Sequence, residues 1–264
     1  MKKRGKGIRA RGKWASLMAF SFVFLLSSCL PRAPIPALPT DTPTPTITST
    51  PTIIWFPPTA TATFLPTVIP SPTPELRPGV AGILLEDDFS TTDHWLTGDL
   101  GKGVIALGLN ELTLALSQPK GYLFSFRDEP TFDDFYAEIT ASTSLCTGLD
   151  EYGMLIRYNS QVDFYRFSLS CNGQTRLDKL VGGTASSPQP WLASQSVPSA
   201  APSESRLGVW ASGSDLRFFI NDEFQFAVSD RTLPRGMIGV FARSGGENAV
   251  TVSFSDLVVY QVGE

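Results

Sequence analysis

The chain has 264 residues, a formal net charge of −4, 21 prolines, three cysteines and a single histidine. Seven of its 21 basic residues fall in Met1–Lys13, so the remainder sets 14 positive against 25 negative charges; this argues against nucleic acid or anionic lipid as a partner, since both attract basic patches. The lone histidine, His94, and the absence of any C-x-x-C element argue against a zinc centre.

Met1–Lys13 (MKKRGKGIRARGK) is basic, Trp14–Leu26 (WASLMAFSFVFLL) is apolar, and Leu26-Ser27-Ser28-Cys29 follows at once. As a helix the apolar run reaches roughly 20 Å against roughly 30 Å of hydrocarbon, which suits a signal peptide over residues 1–28 better than a permanent span. The residues LSSC resemble the lipobox of bacterial lipoproteins. That resemblance implies cleavage before Cys29, a diacylglyceryl thioether on it, and the membrane as a partner through the lipid. Position 30 is Leu rather than Asp, which by the same resemblance implies the outer membrane where the host has one. An uncleaved anchor with an incidental cysteine is the alternative.

Residues 29–78 hold 14 of the 21 prolines, in runs such as TDTPTPTITSTPT and PSPTPELRP. Frequent proline removes backbone donors and favours extended polyproline conformations, so this stretch reads as a disordered tether. Extended, it reaches on the order of 150 Å at about 3.1 Å per residue. Ile53-Ile54-Trp55-Phe56 is an apolar island within it.

Residues 79–264 form the one folded domain, about 185 residues, enough to bury a substantial core. Short β-rich runs are punctuated by Gly, Asn, Asp and Pro about every ten residues, the signature of an all-β sandwich or barrel. Predicted strands lie at 83–89, 103–107, 111–116, 122–126, 135–143, 152–158, 163–170, 175–181, 207–211, 216–220, 224–228, 237–242 and 250–259. A two-residue turn at Gly213-Ser214 sets Ala211, Val209 and Leu207 against Leu216, Phe218 and Ile220, leaving Trp210 with Arg217 on the opposite face. A turn at Ser160-Gln161 sets Met154 against Phe167 and Ile156 against Tyr165. That register leaves Arg157 with Phe164, and Leu155 with Arg166, on the other face. A two-residue turn at Asn172-Gly173 would put Arg176 and Asp178 on the core side, so a longer loop or a bulge is the alternative there.

The runs YGMLIRYNSQVDFYRFSLSCNG, LGVWASGSDLRFFIN, DRTLPRGMIGVFA and VSFSDLVVY, with the opening LEDDFS, resemble the concanavalin A-like (laminin G-like) domain of exported bacterial proteins. The branch related to keto-disaccharide hydrolase-type domains is included. The resemblance spans nearly all of 83–259 and implies a two-sheet antiparallel jelly-roll sandwich. It departs at 182–205, which reads as a long Pro/Ser/Ala-rich loop. The family holds lectins, glycan-binding modules, glycosidases and adhesive modules alike, so fold does not decide function.

The sequence holds no G-x-S-x-G elbow, H-E-x-x-H, P-loop or dinucleotide fingerprint. Glycosidases need two carboxylates about 5–10 Å apart, whereas Asp87/Asp88, Asp133/Asp134, Asp150/Glu151 and Asp222/Glu223 are sequence neighbours that a strand points to opposite faces. Glycan binding without catalysis is therefore the leading reading, with a glycoside hydrolase and a structural or protein-interaction module of the envelope as alternatives. Its candidate ligand-binding residues are Arg157, Phe164 and Arg166 on one face and Trp210 with Arg217 on another; ordinary cross-strand packing is the alternative for each. No cofactor is expected beyond a structural calcium, for which Asp88 and Asp256 are the nameable acids against turn-capping carboxylates. Cys146 and Cys171 remain as an even pair in an oxidising compartment, which predicts a disulfide, with two buried free thiols as the alternative. The reading places the strand 152–158 between the strands that end at the two cysteines.

Overall fold

The computed structural model describes residues 74–91 and 93–263, so Cys29, the signal region and most of the proline-rich segment lie outside the described residues. Fifteen strands and no helix occupy the described residues: β1 (Val80–Asp87), β2 (Gly98–Asp99), β3 (Gly103–Gly108), β4 (Glu111–Leu116), β5 (Tyr122–Phe126), β6 (Phe135–Leu145), β7 (Glu151–Ser160), β8 (Asp163–Ser170), β9 (Gln174–Val181), β10 (Thr184–Ala193), β11 (Ser203–Ser212), β12 (Asp215–Ile220), β13 (Glu223–Ser229), β14 (Met237–Arg243) and β15 (Val250–Val262). They build two antiparallel sheets. A nine-stranded sheet runs β13-β12-β11-β6-β15-β4-β3-β2, with β1 pairing the far half of β15, and a six-stranded sheet runs β10-β9-β8-β7-β14-β5.

Alternation along the strands assembles the core between the sheets. Leu112, Leu114 and Leu116 of β4, Leu207 and Val209 of β11, and Met154, Ile156, Phe167 and Leu169 of the facing sheet are fully buried in one cluster. Phe167 meets Phe218 across the sheets at 4.8 Å between ring centroids, and Phe218 stacks on Phe226 at the same distance. In β15 the inward set would flip faces halfway, because Val250, Val252 and Phe254 are followed by Leu257 and Val259. A register shift between Ser255 and Val258, with Asp256 at φ 55°, absorbs the odd residue and keeps all five apolar side chains inside.

The hairpin register expected for β11 and β12 is the one observed, Trp210 opposite Arg217 included. The stretch 182–205, expected as a loop, instead contains β10, which pairs with β9 through two register shifts. Pro188 and Pro190 are tolerated there because β10 is an edge strand, whose outward amides need no partner.

Cys146 and Cys171 form a disulfide with a Cα–Cα distance of 5.8 Å. The expected placement of β7 between the bridged strands is corrected. Strand β7 lies between β8 and β14 in the six-stranded sheet, whereas β6 belongs to the nine-stranded one. Cys146 follows β6 and Cys171 follows β8, so the bond staples the two sheets together at one end of the sandwich. Backbone hydrogen bonds from Ala201 to the Cys146 carbonyl and from Ala200 to the Cys171 carbonyl close the same end. Closing a 25-residue separation stabilises the fold by about 3 kcal/mol on the loop-entropy model. Replacing both cysteines by serine should lower the unfolding free energy in a urea titration by about that amount, and an unchanged midpoint would refute the role.

Candidate functional site

The outward face of the six-stranded sheet is set by one loop. Strand β8 turns into β9 through three residues, Cys171-Asn172-Gly173, with Ser170 opposite Gln174 and Gly173 at φ 84°. The longer-loop alternative therefore holds, and Thr175 and Leu177 point inward while Arg176 and Asp178 point out. The register across all strands then lays three outward rows side by side. The first is Tyr122–Arg243–Glu151–Ser170–Gln174, the second Phe124–Phe241–Gly153–Ser168–Arg176, and the third Phe126–Gly239–Leu155–Arg166–Asp178.

Charges on this face form a lattice rather than isolated pairs. Arg176 Nη2 donates to Glu151 Oε2 at 3.0 Å and Arg243 Nη1 to Glu151 Oε1 at 2.8 Å. Arg166 Nη2 donates to Asp178 Oδ2 at 2.5 Å, and Ser187 of β10 donates to Asp178 Oδ1 at 2.6 Å. Arg176 Nε lies 2.9 Å from Asp178 Oδ2, close enough for charge attraction but out of line for a hydrogen bond. The Arg176 guanidinium stacks on Trp191 at 4.3 Å, and Arg166 lies over the rings of Phe241 and Tyr122 at 5.5 and 5.9 Å. Burial works against the charge of Arg166, but the hydrogen bond to Asp178 together with the charges of Tyr122, Asp178 and Glu151 outweighs it, and the pKa moves up.

Glu151 and Asp178 are the same-face carboxylates that sequence neighbours cannot supply, one on β7 and one on β9. Each of their four oxygens already accepts from a guanidinium or a hydroxyl. That arrangement suits positioning of the arginines better than transferring a proton to a leaving group.

Beside the lattice runs an aromatic strip. Tyr122, Phe124 and Phe126 stand half-buried along edge strand β5, with centroids 5.7 and 6.4 Å apart. Tyr158 stacks on Phe126 at 4.8 Å, and Phe164 continues the strip at 5.8 Å. Gly153 lets its two neighbouring strands approach: a Cβ there would lie 2.1 Å from the Phe167 carbonyl oxygen on β8 and 3.3 Å from the Phe241 ring on β14. Four polar atoms on the same face, Tyr122 Oη, Ser168 Oγ and the Nε of Arg166 and Arg176, are buried without a hydrogen-bond partner. Burial pushes the Tyr122 hydroxyl up to about 12, against the opposing charge of Arg166.

A larger cleft of about 830 Å³ opens at one end of the sandwich, lined by Asp133, Asp134, Asp215, Arg231 and Arg235 among others. It contains no aromatic ring, so it offers the apolar face of a sugar nothing to stack on.

No family model matches the sequence, and no curated protein does. Among solved structures, the chain is similar to the carbohydrate binding module CBM66 from Bacillus subtilis, with a TM-score of 0.53 at 15% identity, over 64% of this chain and 96% of that one. It is similar to a protein of unknown function with a galectin-like fold from Bacillus subtilis, with a TM-score of 0.53 at 16% identity, over 70% and 99%. A β-glucanase from Bacillus licheniformis gives a TM-score of 0.51 at 10% identity, over 69% and 99%. The fold is a concanavalin A-like jelly-roll sandwich. At these identities the likeness establishes the architecture, and the site rests on this chain's own residues.

Of the residues nominated from sequence, Phe164 and Arg166 lie on this outer face, 5% exposed and with a 15% exposed side chain respectively. Arg157 does not. Strand β7 carries two extra residues between Ile156 and Ser160, Arg157 sits among them at φ 47°, and Ser160 rather than Asn159 closes the turn. Arg157 is 0% exposed and donates to the carbonyls of Leu233 and Asp133; burial pulls its pKa down. The sequence reading missed Glu151, Arg176, Asp178, Trp191 and Arg243. The readable signal was the alternation of Thr175 and Leu177, which pairs with Leu169 and Phe167 only across a three-residue loop. For calcium, Asp88 accepts from the Ser90 amide and Asp256 from the Ser255 hydroxyl, both at turn or bulge positions. Among the described residues no three His, Cys, Asp or Glu side chains cluster as a metal set.

Trp210 and Arg217 are paired as expected, with the guanidinium 4.4 Å from the indole, but the chain itself covers them. Residues 76–78, read from sequence as tether, cross the outer face of the nine-stranded sheet. Trp210 Nε1 donates to the Pro78 carbonyl at 3.0 Å and Arg217 Nη1 to the Leu76 carbonyl at 2.9 Å. Arg77 lies over Tyr136 and Phe219 at 5.3 and 5.1 Å and donates to the Tyr136 hydroxyl at 3.0 Å. Trp210 and Arg217 thus hold the entering chain. Arg77→Ala should lower stability by about 1–2 kcal/mol, the worth of two partly exposed ring contacts and a hydrogen bond. A thermal melt and limited proteolysis after residue 73 check this; no change in either would show that the strap is not held.

Proposed function

We propose that this chain is a lipid-anchored, extracytoplasmic protein whose sandwich holds a glycan on the outer face of its six-stranded sheet without turning it over. The observation that carries the reading is the aromatic strip of Tyr122, Phe124 and Phe126 lying beside the Arg166–Arg176–Arg243 lattice. Sugars present an apolar C–H face and a rim of hydroxyls, and a site that takes both combines aromatic rings with fixed polar groups. Similar folds include a carbohydrate binding module and a β-glucanase, which supports sugar as the ligand class and leaves catalysis to the site. Here the same-face carboxylates are engaged by arginines, which favours binding.

Anchoring rests on the LSSC sequence at residues 26–29, with the outer membrane as destination where the host has one. The strap of residues 76–78 brings the chain onto the nine-stranded sheet, so the ligand face lies on the side opposite its entry. A weak module on a long tether gains local concentration near a surface, which suits capture or adhesion.

A shallow face predicts affinities of roughly micromolar to millimolar. On a glycan array and in calorimetry, Phe124→Ala should weaken binding at least tenfold while moving the melting temperature by no more than a few degrees. An array without any hit would point to a structural envelope module instead, and release of reducing sugar would point to a hydrolase. Separately, Cys29→Ala should leave an unprocessed or mislocalised precursor; equal processing and membrane retention of wild type and variant in the native host would remove the anchor.

A further inference from the structure

We infer that the glycan taken by this face carries carboxylates, as a uronate polysaccharide does; the inference rests on the glycan-binding reading and narrows it to a chemical class. Residues 74–263 hold 13 basic against 23 acidic side chains, so the domain as a whole repels anions. Its six-stranded face reverses that sign. Three guanidiniums, Arg166, Arg176 and Arg243, meet two carboxylates, Glu151 and Asp178, leaving one positive charge in a partly desolvated setting where charge interactions are strong.

Hydrogen bonding points the same way. A guanidinium carries five N–H donors, and all four carboxylate oxygens of the lattice are already engaged. The Nε of Arg166 and Arg176 and the hydroxyls of Tyr122 and Ser168 are buried without partners. The carboxylate acceptors of the face are thus all engaged, whereas Arg243, the exposed member, uses only Nη1 and keeps its other donors for a ligand. A neutral sugar brings hydroxyls that donate as readily as they accept, whereas a carboxylate brings acceptors only and fits the guanidinium fork with two parallel bonds.

Geometry names the meeting point. Arg243 is the solvent-reaching member of the lattice, its side chain 42% exposed. It pairs in register with Tyr122 on the neighbouring strand, so the two side chains stand next to each other on the outer face. A sugar ring stacked on Tyr122 and Phe124 thereby directs an equatorial substituent onto Arg243, whose Nη1 alone is taken up by Glu151.

The test uses the purified exported chain with polygalacturonate, the same polymer fully methyl-esterified, and dextran sulfate, read by isothermal titration. Polygalacturonate should bind at least tenfold more tightly than either. Arg243→Gln should erase that preference, bringing affinity for polygalacturonate to that of the ester, while Arg243→Lys keeps part of it; a thermal melt of each variant checks that the fold is intact. Equal binding of the acid and its ester would overturn the carboxylate assignment and leave glycan binding standing. Dextran sulfate binding as tightly as polygalacturonate would likewise overturn it in favour of a general polyanion site. Binding to none of these polymers together with an empty glycan array would remove both readings.

Discussion

Successive side chains of a strand leave opposite faces of its sheet, and the placement of each functional group in this molecule follows from where that alternation is kept and where it is broken. The three-residue loop at Cys171–Gly173 keeps Thr175 and Leu177 against the core and sends Arg176 and Asp178 outward. A loop one residue shorter would turn both charges into an apolar interior, where unpaired ions cost several kcal/mol each. The extra residues around Arg157 act in the opposite sense. They let Ile156 stay inside and Tyr158 stay outside, while the Arg157 guanidinium is turned to the carbonyls of Leu233 and Asp133.

Once Glu151 and Asp178 are fixed on a face they share with Leu155 and Phe241, their charges need compensation. Both are nearly buried, with side chains 6% exposed, and removing one member of such a set strands its partners at a cost of about 3–5 kcal/mol. Arginine suits this role better than lysine because its planar fork reaches two carboxylates at once while its face lies on an aromatic ring, as Arg176 does between Glu151, Asp178 and Trp191. The lattice spans β14, β7, β8 and β9 and is braced by Ser187 and Trp191 from β10, so its groups are held in place before any ligand arrives. Preorganisation of this kind lowers the entropy lost on binding.

How much of this could be read in the sequence varied with how many signals agreed. In the β11–β12 hairpin the turn glycine and the apolar alternation specify the same register, and the structure has it. In the β7–β8 hairpin the pairs Met154–Phe167 and Leu155–Arg166 are found as expected, but no Gly or Pro marks the bulge at Arg157, so alternation alone carries that residue to the wrong face. Strand β10 is hidden because Pro188 and Pro190 are loop signals everywhere except at a sheet edge. The even cysteine pair is readable as a bond, whereas its role as a staple between sheets requires knowing that β6 and β8 belong to different layers. Residues 76–78 look in sequence like the rest of the proline-rich stretch, and only the Trp210 and Arg217 side chains that receive them show that they belong with the sandwich.

A sandwich of this kind offers two outer faces, and the two are dressed differently here. The nine-stranded face gives Trp210, Arg217, Tyr136 and Phe219 to the entering chain, so an aromatic and cationic set that would otherwise look like a sugar site is already occupied by Leu76, Arg77 and Pro78. The six-stranded face has no such cover among the described residues, and there an aromatic strip borders a lattice with more donors than acceptors. Similar folds accommodate both binding and hydrolysis, so the frame does not choose between them. On the six-stranded face every oxygen of Glu151 and Asp178 has a donor in place, so these two carboxylates serve to hold the arginines.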